Sequence, residues 1–325
     1  MSMSDTGPRQ AAFPLDGRRI WVAGHGGMVG RALVRRLAEE DCEVLVTPRP
    51  ALDLSRQADV EDWMAQARPD GVIVAAARVG GIHANAAYPA DFIQQNLSIS
   101  ANIIHAAHLS GVRKLLYLGS SCVYPRLAPQ PIDEGALLSG ALEPTNQWYA
   151  VAKIAGIKMC QAYRRQHGRD FIAVMPTNLY GPGDNYDPLT SHVPAALIRR
   201  FHEAKVDGRS RAVVWGTGRP RREFLYVDDL ADACVFALKH WSSEDLLNVG
   251  TGQDMSIAHF AAEVAAVVGF GGEIVFDPQR PDGAPRKVLD VTRLRRAGWR
   301  ARTPLEDGLR ATYADFLAGG GRYGG

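Results

Sequence analysis

Short, nearly unbroken apolar runs alternate with longer amphipathic stretches through the first half of the chain. Arg19-Ile20-Trp21-Val22-Ala23 is the first run, and it ends at a glycine. Residues 28–40 follow with Val29, Leu33, Val34 and Leu37 on one helical face. The spacing predicts strands over 43–47, 71–76 and 114–119, and helices over 60–67 and 92–110. Runs of Val, Ile and Leu without polar alternation suit strands buried on both faces, so this half reads as a parallel sheet covered by helices.

The second half is less regular. It predicts helices over 146–167, 193–203, 227–240, 257–268 and 305–317, and strands over 171–175, 213–215 and 246–249. A Pro-, Gly- and Asn-rich stretch, 176–191, interrupts the alternation. The expected class is α/β: a doubly wound parallel sheet with a smaller mixed α/β unit. The expected division is 18–176 plus 223–252 for the sheet, and 177–222 plus 253–318 for the smaller unit. Residues 1–17 and 319–325 are expected to be disordered tails.

Composition narrows the classes. The chain has 325 residues and a formal net charge of +2, so it carries no whole-molecule field for nucleic acid or anionic lipid. No apolar run approaches a spanning helix, and the first residues lack an apolar signal core. The cysteines Cys42, Cys122, Cys160 and Cys234 form no C-x-x-C pair and read as free thiols in a cytoplasmic protein. No cluster has metal-ligand spacing.

Gly24-His25-Gly26-Gly27-Met28-Val29-Gly30 joins the first strand to its helix. Gly24 permits the tight turn, Gly27 lets backbone approach a pyrophosphate, and Gly30 lets strand and helix pack closely. The free N–H groups at the helix start suit phosphate, so the turn is read as a dinucleotide site. After the second strand comes Arg49, and no carboxylate appears before Asp53. An arginine there accepts a 2′-phosphate, which favours NADP(H) over NAD. Arg49 as a solvated loop charge is the plain alternative.

Tyr149 and Lys153 lie four apart on a predicted helix and share a face. An ammonium beside a phenol is expected to lower the phenol's pKa and make it a usable acid or base. Ser120 ends a predicted strand at its carboxyl side, where open α/β sheets bind ligands, and its hydroxyl can donate to the same carbonyl oxygen. Cys122 adds a thiol that a plain ketone reductase does not need. His192 follows the irregular stretch and is a candidate proton shuttle. Together the thiol and imidazole suit inversion at a carbon beside a ketone. Apart, they read as a small buried hydrophobe and an exposed loop histidine.

These residues sit in longer motifs: Ala75-Ala76-Ala77-Arg78-Val79-Gly80-Gly81-Ile82, Leu118-Gly119-Ser120-Ser121-Cys122-Val123-Tyr124-Pro125, Tyr149-Ala150-Val151-Ala152-Lys153, Met175-Pro176-Thr177-Asn178-Leu179-Tyr180-Gly181-Pro182, Arg222-Glu223-Phe224 and Pro281-Asp282-Gly283-Ala284-Pro285-Arg286-Lys287. With them the chain resembles the GDP-L-fucose synthases, extended short-chain dehydrogenases/reductases on a Rossmann sheet. The resemblance implies NADPH-dependent C3/C5 epimerisation and C4 reduction of GDP-4-keto-6-deoxy-D-mannose. It implies a reductase triad of Ser120, Tyr149 and Lys153, with Cys122 as epimerisation base and His192 as acid. It places Pro176, Thr177, Asn178 and Leu179 beside the nicotinamide, Arg49 at the 2′-phosphate, and Asp53 and Leu54 near adenine. Arg200, Trp215, Arg222 and Asp282 would hold the GDP-sugar, and a homodimer would pack through 92–110 and the helix of Tyr149.

One departure stands out. The glycine turn carries Gly26 where bacterial members of that group carry an arginine that also holds the 2′-phosphate. NADP preference then rests on Arg49, and tolerance of NADH is expected. Two rival readings stay open: a sibling nucleotide-sugar 4-epimerase or 4,6-dehydratase that retains NAD, and a non-catalytic NADP sensor on the same fold.

Overall fold

The structure, a computed structural model, describes residues 13–188, 190–280 and 282–322, without the side chains of Ile82 and His83. The stretches 1–12 and 323–325, expected to be tails, and Pro281 of the last motif lie outside those residues. Five strands come first: β1 (Arg18–Ala23), β2 (Cys42–Leu45), β3 (Gly71–Val74), β4 (Lys114–Leu118) and β5 (Asp170–Pro176). With Leu247–Val249 they form one parallel sheet in the order β2-β1-β3-β4-β5, then Leu247–Val249. The order reverses between β1 and β3, which opens a crevice at their carboxyl ends.

Each strand alternates between two cores. Ile20 and Val22 of β1, and Leu116 and Leu118 of β4, pack with Leu33 of helix α1 (Met28–Leu37) and with the helix Val227–His240. Trp21 and Ala23, and Leu115 and Tyr117, pack on the other face with α2 (Gln57–Ala67) and the helices Pro89–Leu109 and Gln147–His167. Burying one such large side chain is worth roughly 1.5–3 kcal/mol, so both helix layers are held by the same strands.

A third core lies beyond the carboxyl ends of the strands. Tyr186, Phe201, Phe260, Leu309 and Phe316 fill it, between the helices Val193–Val206, Ile257–Val268 and Leu305–Leu317. Its parallel strand pair is Arg211–Trp215 with Glu273–Asp277. Two small sheets join this unit to the larger one. Asn178–Tyr180 pairs with Phe224–Tyr226, and Arg221–Arg222 lies between Met255–Ser256 and Arg286–Lys287.

The expected tails are corrected where they are described. Phe13 and Leu15 are buried, at 5% and 2% exposure, in the core beside α1, and the Phe13 N–H donates to the Lys239 carbonyl at 3.1 Å. Two isolated large apolar side chains carry no periodicity, yet each still gains by leaving water. At the other end, the Arg322 N–H donates to the Asp184 carbonyl and the Tyr186 N–H to the Arg322 carbonyl, at 2.9 and 2.8 Å.

One fully buried carboxylate fastens the small sheets to the large one. Glu223 is 0% exposed and accepts from the N–H of Gly252 at 2.7 Å, the N–H of Leu289 at 2.8 Å and the hydroxyl of Thr251 at 3.3 Å. Its own carbonyl accepts from Asn178 Nδ2 at 2.8 Å. Removing that side chain strands buried donors, each costing about 1–3 kcal/mol. Glu223→Ala is therefore expected to lose roughly 2–4 kcal/mol in denaturant unfolding. A loss below about 0.5 kcal/mol, the size of a neutral surface change, would contradict this role.

Candidate active site

The turn after β1 is built for close approach. Gly24 has φ +91°, and a Cβ there would lie 2.6 Å from the Ala76 backbone that follows β3. The helix α1 starts behind Gly27, whose position offers no side-chain cap, so the first N–H groups of α1 face the crevice. Nothing lies within 4 Å of a Cβ built on Gly26, so that position has open space. Arg49 is exposed past β2, and Asp53 spends its carboxylate on the Ser55 N–H and hydroxyl, at 3.0 and 2.7 Å. Leu54 is half-buried, and its carbonyl accepts from Asn102. These features fit a dinucleotide diphosphate at the turn and leave Arg49 free to meet a phosphate.

At the end of β4 the chain turns at Ser120, which caps a single helical turn, Ser121–Val123. Its Oγ accepts from the Cys122 N–H at 3.2 Å. Cys122 is a half-buried free cysteine. The helix Gln147–His167 approaches β4 closely because of Gly156: a Cβ there would stand 2.4 Å from the Tyr117 ring. That approach brings Tyr149 to Ser120, with which it hydrogen-bonds, and to Cys122.

Electrostatics departs from the sequence expectation at Tyr149. Its pKa is raised, first by burial and then by Cys122 and Tyr117, against the opposing hydrogen bond from Ser120. The ammonium expected to lower it is directed elsewhere. Lys153 donates to the Leu118 carbonyl at 2.8 Å, lies over the Tyr117 ring at 4.7 Å, and is 5.9 Å from the Tyr149 ring centre. Burial also lowers the pKa of Lys153 to about 7. Desolvation therefore outweighs the cation, and Tyr149 is held as a protonated phenol.

His192 precedes the helix Val193–Val206. The residue is exposed to solvent. Desolvation, aided by Arg322, lowers its pKa. The Gly81 N–H donates to the Thr190 carbonyl at 3.0 Å, which holds this segment against the turn after β3. Pro176 ends β5. Thr177 donates its N–H to the Val249 carbonyl at 3.0 Å, and Leu179 packs on the α1 core.

The residues expected to hold a sugar nucleotide fall into two groups. Arg200 lies over the Trp215 ring at 5.4 Å and donates to the Val213 carbonyl at 2.5 Å. Both line a cavity of about 600 Å³ with Arg211 and Arg209. Arg280, which the sequence reading missed, stacks on the same ring at 4.9 Å. Arg222 and Asp282 form the second group. The Asp282 carboxylate is already engaged, accepting from the Thr217 N–H at 2.7 Å and its hydroxyl at 2.8 Å. Burial lowers the pKa of Arg222, offset by Cys122, Asp282 and Glu143. Glu223 and Lys287 also stand in the quoted motifs, and no local pattern in the sequence marks either for a role. Lys287 places its ammonium 3.8 Å from the Cys122 sulfur.

A family model described as the NAD dependent epimerase/dehydratase family matches residues 20–250. A GDP-L-fucose synthase of Sinorhizobium fredii is 57% identical, over 94% of this chain and 98% of its own. GDP-L-fucose synthase 1 of Arabidopsis thaliana is 59% identical, over 92% of this chain and 93% of its own. A GDP-L-fucose synthetase from Naegleria fowleri, solved bound to NADP, matches with a TM-score of 0.87 at 27% identity, covering 95% of this chain and 97% of that one. The chain belongs to the NAD dependent epimerase/dehydratase family and, within it, to the GDP-L-fucose synthases.

Proposed function

We infer that the chain converts GDP-4-keto-6-deoxy-D-mannose to GDP-L-fucose, epimerising C3 and C5 and then reducing the C4 ketone. The observation that carries the reading is a half-open thiol, Cys122, beside a hydroxyl and a protonated phenol, Ser120 and Tyr149. NADPH is the cofactor, and when bound it supplies the hydride. Gly24, His25, Gly26, Gly27, Met28, Val29 and Gly30 are assigned to its diphosphate, Arg49 to its 2′-phosphate, Asp53 and Leu54 to its adenosine, and Lys153, Pro176, Thr177, Asn178 and Leu179 to its nicotinamide end.

Ser120 and Tyr149 donate to the C4 oxygen and so stabilise negative charge there when a neighbouring carbon loses its proton. Cys122 takes that proton and His192 returns one to the opposite face. Once the ring has inverted, Tyr149 gives its proton to the C4 oxygen as hydride arrives. The raised pKa of Tyr149 suits this last step, because an acid must still hold its proton at neutral pH. Arg200 and Trp215 are assigned to the nucleotide, Arg222 to the diphosphate, and Asp282 to the loop beside it. The same reading includes the division at 176–177, 222–223 and 252–253, a cytoplasmic location, and a homodimer packed through the helices Pro89–Leu109 and Gln147–His167. Among the described residues, no helix is long and apolar enough to cross a membrane.

Incubation with GDP-4-keto-6-deoxy-D-mannose and NADPH in deuterated water, followed by NMR, tests the whole scheme. The wild-type protein is expected to give GDP-L-fucose labelled at C3 and C5. Cys122→Ser should suppress the labelling, whereas Tyr149→Phe should slow it less and lose about 10²–10⁴-fold in NADPH oxidation. Labelling unchanged in Cys122→Ser would remove the thiol from the mechanism.

The lowered pKa of His192 gives a pH dependence with a definite sign. The imidazolium is the acid, and it is lost as pH rises through a midpoint below 6.5. In the free-enzyme parameter kcat/KM, label exchange should fall as pH rises through that region, and His192→Gln should flatten the descending limb. An identical limb in both proteins would exclude His192.

Open space at residue 26 makes cofactor choice adjustable. Gly26→Arg is expected to lower KM for NADPH roughly tenfold, as one added charge-assisted contact to a phosphate would, and to leave KM for NADH in place. Equal effects on the two cofactors would mean that residue 26 does not face the 2′-phosphate.

A further inference from the structure

Lys287 enters no step above, yet its ammonium stands 3.8 Å from the Cys122 sulfur. It is not a loose surface lysine. Arg286–Lys287 runs parallel to Arg221–Arg222, with Lys287 opposite Arg222, and paired residues in a sheet project to one face. The backbone on either side is fixed. The Arg221 N–H donates to the Pro285 carbonyl at 2.9 Å, and the buried Glu223 carboxylate accepts the Leu289 N–H at 2.8 Å. The fold thus delivers the Lys287 ammonium to the thiol, with Arg222 paired beside Lys287 in the same small sheet. Tyr149 feels the same sulfur, and Asp282 and Glu143 are the carboxylates that act on Arg222.

We propose that Lys287 is a positioning residue that holds Cys122 as the thiolate, the form in which it acts as base, with Arg222 as the second cation. The proposal rests on the epimerase reading of Cys122. A neutral thiol is a weak acceptor for a carbon-bound proton, and the thiolate is the competent one. In the step, the C–H bond beside the ketone breaks and an S–H bond forms. The C–H electron pair becomes the carbon–carbon π bond, and the carbonyl π pair moves to oxygen, where Ser120 and Tyr149 donate. Lys287 keeps its proton throughout and touches no reacting carbon. No oxidant, reductant or further reactant enters.

The test reads the thiol without the sugar. Alkylation of Cys122 by iodoacetamide is followed against pH in the full-length protein, by mass spectrometry of the Cys122 peptide. At neutral pH Lys287→Met should slow alkylation about tenfold and move its half-maximal pH upward, as expected for loss of a close cation. Lys287→Arg keeps the charge and should restore most of the rate, which a merely structural role would not require. Lys287→Gln serves in place of Lys287→Met if the latter does not fold. Alkylation that is unchanged in the neutral variants, or as slow in Lys287→Arg as in them, would overturn the proposal. Deuterium exchange into the keto-sugar separates the two claims. The expected alkylation pattern with no exchange by the wild-type protein would leave the ion pair standing and overturn the epimerase reading on which its catalytic meaning rests. Exchange that persists at the wild-type rate in Lys287→Met would overturn the positioning role.

Discussion

Glu223 is the constraint on which the rest of the site depends. A carboxylate with no solvent exposure persists only when its oxygens are saturated, and here Gly252, Thr251 and Leu289 saturate them. The partners lie on two parts of the fold: Thr251 and Gly252 follow the edge strand of the main sheet, and Leu289 follows Arg286–Lys287. Burial raises the pKa of Glu223, so holding it ionised costs free energy, and the hydrogen bonds offset that cost. The result is a rigid joint between the sheet that carries Ser120 and the strands that carry Arg222 and Lys287. Surface ion pairs of the usual worth, under about 1 kcal/mol, would not fix that geometry.

Once the joint is set, burial tunes the site in opposite directions at different groups. It raises Tyr149 and lowers Lys153 and His192, because each group is pushed toward its neutral form. For the phenol this is useful, since an acid waiting for hydride transfer must keep its proton. For the imidazole it works against protonation. A diphosphate entering the cleft brings negative charge that acts the other way, so the free protein and the substrate complex differ in how readily His192 carries a proton. Cys122, beside them, has the Lys287 ammonium 3.8 Å from its sulfur.

Most of the large sheet was legible in the sequence. The runs around Ile20, Val72 and Leu116 are buried on both faces, and unbroken apolar sequence says so directly. The helices Val227–His240, Ile257–Val268 and Leu305–Leu317 match the predicted spans because an amphipathic period over several turns is a strong signal. The short strands Arg221–Arg222, Phe224–Tyr226 and Arg286–Lys287 were not legible. Two or three residues hold no period, and their pairing partners lie far along the chain. Glu223 sits between an arginine and a phenylalanine, and local pattern gives it the look of a loop charge. The Tyr149–Lys153 spacing placed both side chains on one helix face. It did not reveal that the ammonium turns to the Leu118 carbonyl, which is why the expected lowering of the phenol fails.

The distance from Lys287 to Cys122 has its own logic. Stabilising a thiolate increases its population but weakens it as a proton acceptor, so the pair is subject to opposing demands. A tight, buried ion pair would populate the anion fully and leave it inert. No cation at all would leave a thiol that is mostly protonated at neutral pH. The observed contact, 3.8 Å at a half-buried cysteine, is close enough for the cation to act and leaves the residue partly open to solvent.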